Sequence, residues 1–354
     1  MKIKTNHNKH YQKTYNHCFL RRVLIFSYIL IAINLQAQNI NPNLHFITPE
    51  DFGCISDNIK SATTNAINLQ KAIDYASKKG VTLISSANKK YYIDRALIIN
   101  DFINIDFGRG TIIATDSINM IVIKNGKACK WAGSIKNIRL DMNRKATIGF
   151  LGEKCIKLKI MDGEIVNIGD NCIGLCIKTG YEIFIENIHF KGSEKNATGI
   201  KIETNDCHIS DCVMIDCHTA IFNTGSNFYE RIHAWMGKRW IRGSTFFKCS
   251  GSPIFLSQCF SDTFDKTFDI IDKVELHISQ LKLFHNTNMW KNCNKDINPT
   301  LFYFRHQSTI KESQIKLLDS YIGNLIINKK TKENKQQISN FKDINLSIIE
   351  STIK

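Results

Sequence analysis

One pattern of polar and apolar residues recurs in three segments, Glu186-Asn187-Ile188-His189-Phe190, Ser210-Asp211-Cys212-Val213-Met214 and Glu230-Arg231-Ile232-His233-Ala234. Further copies follow as Ser257-Gln258-Cys259-Phe260, Ser279-Gln280-Leu281-Lys282-Leu283 and Ser313-Gln314-Ile315-Lys316-Leu317. Counted from Asn187, the equivalent residues follow at steps of 24, 20, 27, 22 and 34 residues. Repeats of this length, made of short strands, predict a solenoid, because one coil cannot bury its own apolar side chains and stacked coils can.

A second register places a small residue before a large apolar one. Its copies are Thr147-Ile148-Gly149-Phe150, Cys172-Ile173-Gly174-Leu175, Ala197-Thr198-Gly199-Ile200 and His218-Thr219-Ala220-Ile221. Strands stacked about 4.8 Å apart would form a continuous parallel sheet. A leucine-rich repeat needs a regular Leu/Asn consensus, which this chain lacks. We therefore expect an all-β fold, a parallel β-helix.

Helical periodicity is convincing in one segment, residues 65–79. Thr63, Thr64 or Asn65 could cap its beginning, and Gly80 ends it after two lysines. The residues expected on its buried face are Ala66, Leu69, Ile73 and Ala76.

The segment around this helix resembles the opening of pectin-lyase-like right-handed β-helix proteins. The resemblance rests on Asp51-Phe52-Gly53, the helix, Val81-Thr82-Leu83-Ile84 and Tyr91-Tyr92-Ile93, and it is strongest to rhamnogalacturonase and epimerase-like members and phage tailspikes. It covers about residues 48–330, mostly as pattern, and the family's usual Gly-Asp-Gly turn is here Ser56-Asp57-Asn58. The resemblance implies a right-handed parallel β-helix, capped by the helix, in a protein that binds or processes polysaccharide.

The N-terminus has the layout of a secretory signal. Arg21-Arg22 precede an apolar run over 23–33, and Leu35-Gln36-Ala37 ends in a small residue. We expect cleavage after Ala37 and a secreted, periplasmic or cell-surface protein; a membrane anchor and an ordinary buried segment are the alternatives. The expected organisation is a signal at 1–37, an opening strand and capping helix at 38–80, a β-helix at 81–328, and a basic C-terminal tail or cap at 329–354.

The charge of the chain indicates an acidic partner. The formal net charge is +15, and residues 1–37 contain six basic residues and no acid. The remainder holds 41 basic and 32 acidic residues, a surplus that suits a uronate polymer, a nucleic acid or an anionic surface. Export favours a polysaccharide over a nucleic acid.

The candidate site follows from the first register, because alternate strand residues point outward. The expected outward column is His189, Val213, His233, Phe260, Lys282 and Lys316. Asp211 and Arg231 are expected on adjacent coils, near enough for an ion pair beside His233. The candidate catalytic residues are Asp211, Glu230, Arg231 and His233. The candidate substrate-binding residues are His189, Trp235, Lys238, Arg239, Trp240 and Lys282.

Two interpretations of this face remain open. Arg and Lys would bind sugar carboxylates and aromatic rings would pack on sugars, which predicts a groove for an acidic polysaccharide. Alternatively, the face is only solvated and the Asp211–Arg231 pair satisfies itself.

The reaction type also remains open. Glycoside hydrolysis needs two carboxylates, for which Asp206, Asp211, Asp216 and Glu230 are candidates. The Gly-His-Gly and adjacent Asp-Asp of polygalacturonase-like enzymes are absent. Lyase chemistry would use a basic residue such as His233 or Lys238 with Arg231. We expect an exported protein that binds and cleaves an acidic polysaccharide as a lyase or hydrolase without a cofactor; a non-catalytic glycan-binding or adhesin-like scaffold is the alternative.

The cysteines need a separate explanation. Cys207, Cys212 and Cys217 recur every five residues, each preceded by an aspartate. A zinc cluster with His208 and His218, disulfides, and buried free thiols are the possibilities. Because C-x4-C-x4-C is not a known zinc-knuckle spacing, we expect no metal there.

Overall fold

The computed structural model describes residues 45–124, 133–193, 195–237, 241–284, 300–305, 313–318, 320–322, 345–349 and 352–353. Successive coils pair in parallel from Phe46–Ile47 to Thr352–Ile353. The expected all-β parallel β-helix is therefore confirmed. Among the described residues, none of the helices has the length and apolar character needed to span a bilayer.

Each complete coil contributes strands to three faces, which we call face I, face II and face III in chain order. Long strands bend and serve two faces. Face I contains Leu97–Ile99, Asn119–Lys124, Ile148–Ile156, Ile173–Ile177, Thr198–Ile202, Thr219–Asn223 and Thr300–Phe304, with the first parts of Thr245–Ser257 and Lys266–Ser279. Face II contains the second parts of those two long strands, together with Phe46–Ile47, Thr82–Ile84, Ile103–Asp106, Gly133–Lys136, Cys207–Ser210, Phe228–Glu230, Gln314–Leu318 and Asn345–Ile349. Leu158–Ile168 and Ile183–Gly192 begin on face II and continue onto face III.

Face III contains shorter strands. They are Lys90–Ile93, Thr111–Ala114, Arg139–Asp141, Val213–Ile215, His233–Trp235, Phe260–Asp262, Lys282–Phe284, Tyr321–Ile322 and Thr352–Ile353. A two-residue strand, Gly180–Tyr181, pairs with the end of Ile148–Ile156.

The first sequence register is confirmed over five copies. Ile188, Cys212, Ile232 and Cys259 are at most 2% exposed, so they lie inside as expected. The residue after each of them points outward. These outward residues pair across successive coils in the order His189, Val213, His233, Phe260 and Lys282. The sixth copy was wrongly aligned. Lys316 pairs with His277 on face II, and Lys282 pairs with Tyr321, because strand pairing determines the register and sequence similarity does not.

The second register is confirmed over its four copies. Ile148 pairs with Ile173, Ile173 with Thr198, and Thr198 with Thr219. The small residue is required because a side chain would clash with the next coil: a Cβ on Gly174 would lie 2.7 Å from the carbonyl oxygen of Gly199.

The corner between faces II and III is a single residue in the left-handed conformation. Asn187, Asp211, Arg231, Gln258 and Gln280 all have φ between 51° and 54°. Asn and Asp tolerate this conformation best among residues with a Cβ, whereas Arg231 adopts it without that advantage. The polar residues that the register places before each buried one are therefore explained by the bend of the backbone.

The same corner geometry explains the Asp-Cys repeat. Asp206, Asp211 and Asp216 are left-handed corners of one coil, with φ of 57°, 54° and 55°, and the cysteine after each is fully buried. Burial raises the pKa of the Cys207 and Cys212 thiols to about 12, so both are protonated near neutral pH. Within the described ranges no three His, Cys, Asp or Glu side chains are grouped to hold a metal ion, and the nine described cysteines are free thiols.

The helix runs over Ala62–Lys79, after 3-10 turns at Glu50–Phe52 and Ile59–Ser61. It begins three residues earlier than expected, directly after Ser61, so Thr63, Thr64 and Asn65, the expected caps, all lie within it. The Asn65 amide is buried and bonds both the N–H and the C=O of Ile55, at 2.7 and 2.9 Å. The helix ends at Gly80 with φ 69°, and its apolar face is buried as expected. Gln70 joins it to the first coil by bonding both backbone groups of Ile98.

The parallel ladder also extends past the expected boundary at residue 328. Asn345–Ile349 pairs with Gln314–Leu318, and Thr352–Ile353 pairs with Tyr321–Ile322. Part of the segment expected as a tail therefore forms strands. The expected signal at 1–37 lies outside the described residues.

Candidate functional site

The structure brings the predicted corner residues together. Arg231 Nε donates to Asp211 Oδ1 at 2.6 Å, Arg231 Nη2 donates to Asp211 Oδ2 at 2.8 Å, and Nη1 bonds the Glu230 carboxylate. The hydrogen bonds from Arg231 lower the pKa of the Asp211 carboxyl. The guanidinium thus binds two carboxylates of its own chain. This agrees better with a structural ion pair than with a site for a substrate carboxylate.

The predicted residues of face III form a second group around His233. Its ring stacks on Phe260 at 4.6 Å between centroids and lies 4.5 Å from the ring of Trp235. Lys282 Nζ lies 5.6 Å from the Phe260 centroid. His189 is not part of this group, since Val213 separates it from His233. Lys238, Arg239 and Trp240 lie outside the described residues.

Asp262 joins this group, although it was not among the predicted residues. It pairs with Trp235 across the coils. Burial raises the pKa of the Asp262 carboxyl and lowers that of His233. Opposite shifts of this kind suit a proton donor beside a proton acceptor.

A third group lies on face I, where the sequence analysis predicted no site. Its outward residues pair across successive coils in the order Lys201, Phe222, Lys248, Asp269 and Tyr303. Lys266 and Arg305 lie beside this column. We call these seven residues the basic face.

Cations and aromatic rings alternate on the basic face. Lys248 Nζ lies 4.7 Å and Lys201 Nζ 5.3 Å from the centroid of the Phe222 ring. Lys266 Nζ lies 3.9 Å from the centroid of Tyr303. All three distances are in the range of cation–π attraction, which positions the ammonium groups.

Two carboxylates balance part of this positive charge. Asp269 is 4% exposed and accepts from Arg305 Nε and Nη2 at 3.0 and 2.8 Å. Lys201 pairs with Glu203 at 2.6 Å. In the described part of the chain, no carboxylate lies within ion-pair distance of Lys248. The pKa of Lys248 is lowered, first by burial and then by the charge of Arg305.

Two further titratable groups border the basic face. Asp265 Oδ2 accepts from the N–H of Gly243 at 2.6 Å, and burial raises the pKa of its carboxyl. Burial lowers the pKa of His218, on which the charges of Asp265, Lys266 and Lys248 also act. A protonatable carboxyl thus lies in the same electrostatic neighbourhood as the perturbed lysine.

The sequence contained a signal for the basic face. Lys201 and Phe222 directly follow the large apolar residues Ile200 and Ile221, which are expected inside, so alternation places them outward. The site was missed because only the first register was followed outward.

Face II carries an aromatic ladder of Phe184, His208, Phe228, Phe255 and His277. Neighbouring centroids are 4.7–5.1 Å apart and the planes differ by 6–23°. Each ring covers the faces of its neighbours, so the ladder presents ring edges to solvent. It therefore stabilises the stacking of coils, and its inner rings, His208, Phe228 and Phe255, are covered on both faces.

Comparison with known proteins supports the fold. No family model and no curated protein matches the sequence. The tailspike protein of E. coli bacteriophage HK620 in complex with pentasaccharide matches with a TM-score of 0.52 and 11% identity, over 78% of this chain and 62% of that one. A mutant of the same tailspike matches with a TM-score of 0.52 and 10% identity, over 87% and 71%. Endo-xylogalacturonan hydrolase from Aspergillus tubingensis matches with a TM-score of 0.49 and 10% identity, over 77% and 95%.

The chain spans less than two thirds of the first of these tailspike chains. At these identities the likeness shows the fold alone, and it agrees with the parallel β-helix expected from the sequence.

Proposed function

We propose that this protein binds a uronate-containing polysaccharide on the basic face and cleaves it by β-elimination, with Lys248 as the base. The fold supports glycan binding or cleavage, since the structural neighbours include a glycan hydrolase and a tailspike in complex with a pentasaccharide. The acidic substrate, the reaction and the residues are proposals that rest on the basic face itself.

The main support for this proposal is the environment of Lys248. Its ammonium is half-buried among other cations and has no carboxylate partner in the described chain, and its pKa is lowered. A neutral amine therefore forms at lower pH than for an exposed lysine, which suits a general base. Asp269 binds Nε and Nη2 of Arg305, and no carboxylate of the described residues binds its Nη1. This nitrogen and the Lys266 ammonium would hold a uronate carboxylate and stabilise charge developing on it.

The proposed reaction is a β-elimination. Lys248 takes the proton from C5 of the uronate, next to its carboxylate. The bond between C4 and the glycosidic oxygen breaks as the C4=C5 double bond forms. Asp265, whose raised pKa keeps a proton available, protonates the departing oxygen. Solvent then restores both groups.

This assignment moves the base from His233 to Lys248. Arg231, the expected carboxylate-binding partner of His233, is engaged by Asp211 and Glu230. Hydrolysis at the His233 group is the second candidate, favoured by the raised pKa of Asp262, which could act as a general acid.

The test uses polygalacturonate, alginate and a neutral glycan as substrates. Elimination produces unsaturated ends, which absorb in the ultraviolet, together with new reducing ends. Lys248→Met should reduce both signals by at least about 100-fold, the smaller contribution of a general base. Lys191→Met is the matched control, because Lys191 is an exposed outward lysine on a strand of face III.

Other outcomes would change the assignment. Reducing ends without ultraviolet absorbance, abolished by Asp262→Asn, would indicate hydrolysis at the His233 group. Binding without any cleavage would indicate the scaffold alternative. Loss of polymer binding in Arg231→Asn would return the binding site to the corner; asparagine is chosen because it tolerates the left-handed conformation.

A further inference from the structure

A groove at the corner between faces II and III has no role in the proposed reaction. It belongs to coils that precede most of the basic face along the chain, and its volume is about 570 Å³. We call this the corner groove and define it by six of its lining residues: Arg109, Asn137, Arg139, Asp162, Glu164 and His189. Ligand sites commonly have volumes of about 300–1,000 Å³, so the groove has room for a short oligosaccharide.

The backbone keeps the corner groove open. Asn137, Asp162 and Asn187 are left-handed corner residues on three successive coils, with φ of 52°, 57° and 52°. Gly163 follows the middle corner, and a Cβ there would lie 2.7 Å from the carbonyl oxygen of Ile138. Gly163 pairs with the buried Ile188, so this Cβ would point into the core. The groove is therefore shaped by the polar corner residues around it.

The charged side chains of the corner groove differ in their partners. Arg139 Nε lies 3.2 Å from Glu164 Oε2, and Asn187 Nδ2 donates to Asp162 Oδ1 at 2.9 Å. The Arg109 guanidinium is exposed, and no carboxylate of the described residues lies within ion-pair distance of it. Arg109 is thus available to a ligand carboxylate.

We propose that the corner groove is a second glycan site, which binds a stretch of acidic oligosaccharide with one uronate carboxylate on Arg109. The identity of the sugar rests on the proposed function. Carboxylates, carboxamides and guanidinium groups lie side by side here, which matches sugar hydroxyls because these both donate and accept hydrogen bonds. Two arginines against two carboxylates give no net charge, so closely spaced phosphates would find no excess of cations.

The test counts binding sites in the Lys248→Met protein, which holds substrate without cleaving it. Calorimetry with short oligogalacturonates should give two sites per chain. Arg109→Gln should remove the second site or weaken it about tenfold or more, the loss expected for a charge-assisted Arg–carboxylate contact. Arg109→Lys should recover part of this affinity.

Arg144→Gln is the matched control. Arg144 is also an exposed arginine with a positive φ, 55° against 72° for Arg109, and it does not line the groove. Equal thermal midpoints would show that both variants fold. Unchanged binding in Arg109→Gln, equal losses in the two variants, or no oligogalacturonate binding at all would overturn the proposal.

The two proposals fail separately. If Lys248→Met does not affect cleavage but Arg109→Gln weakens binding, the base assignment is wrong and the corner groove stands. If cleavage depends on Lys248 and Arg109→Gln binds normally, the corner groove is not a site.

Discussion

Replacement of Asp269 by asparagine tests how the basic face is held together. Asp269 is almost fully buried and receives two hydrogen bonds from Arg305, with Lys266 Nζ at 3.9 Å from its Oδ2. Asparagine has nearly the same size and keeps one acceptor oxygen, so packing is preserved while the negative charge and one charge-assisted bond are lost.

The cost follows from these contacts. A hydrogen bond to a charged group contributes about 1.5–3 kcal/mol to stability. Arg305 is 40% exposed, and solvent screens its charge, so we expect Asp269→Asn to lose about 1.5–2 kcal/mol. Urea unfolding measures this loss, and a double-mutant cycle with Arg305→Gln should give a coupling energy of similar size.

The same variant has a defined effect on Lys248. The Asp269 carboxylate favours the ammonium form and so raises the pKa of Lys248 against burial and Arg305. Its removal should lower that pKa further, which moves the rising limb of the pH–rate profile to lower pH. Lys248 loses its proton at a lower pH in the folded chain than in the unfolded chain. Between these two pKa values the unfolded chain binds more protons, so the free energy of unfolding should rise with pH there.

Two results would refute this reasoning. A rising limb that stays in place or moves to higher pH would mean that Asp269 does not act on the catalytic base. A coupling energy near zero would mean that Asp269 does not position Arg305.

Four further variants test the fold and the cysteines. Gly174→Ala should lose about 2–3 kcal/mol in chemical denaturation, because its Cβ would lie 2.7 Å from a carbonyl oxygen of the next coil. Asn227→Leu should lose about 2–4 kcal/mol because it leaves a buried N–H and a buried C=O unpaired, whereas Tyr229→Phe should lose about 1 kcal/mol by removing one hydrogen bond. The purified protein should contain no stoichiometric zinc; zinc lost on Cys212→Ser would contradict the buried-thiol interpretation.

The coil registers were predictable because the fold imposes them locally. Strands alternate with period two, and the corner adds one residue, so each copy shows a polar residue followed by a buried one. The sixth copy failed for a physical reason. Inward and outward residues alternate in the same way in the strands before and after the corner, so the sequence around Gln314 fits either strand. Its pairing with Glu275 places it before the corner.

The site was predictable only where it depends on neighbours one coil apart. The Asp211–Arg231 contact followed directly from the register. The state of Lys248 did not, because it depends on Phe222 and Arg305, which are 26 and 57 residues away, and on the burial that they produce. Sequence periodicity gives the direction of a side chain but not the charges that surround it.

Arg231 and Lys248 show how a functional cation differs from a structural one in this solenoid. Arg231 stands at a left-handed corner that neighbouring coils fill with Asn, Asp or Gln, and its charge is balanced by Asp211 and Glu230. Lys248 stands within the regularly paired part of a strand, where the backbone demands no particular residue, and burial and then the charge of Arg305 disfavour its ammonium form. Backbone geometry accounts for the first residue and not for the second. An unbalanced, half-buried cation that the fold does not require is therefore the stronger indication of function.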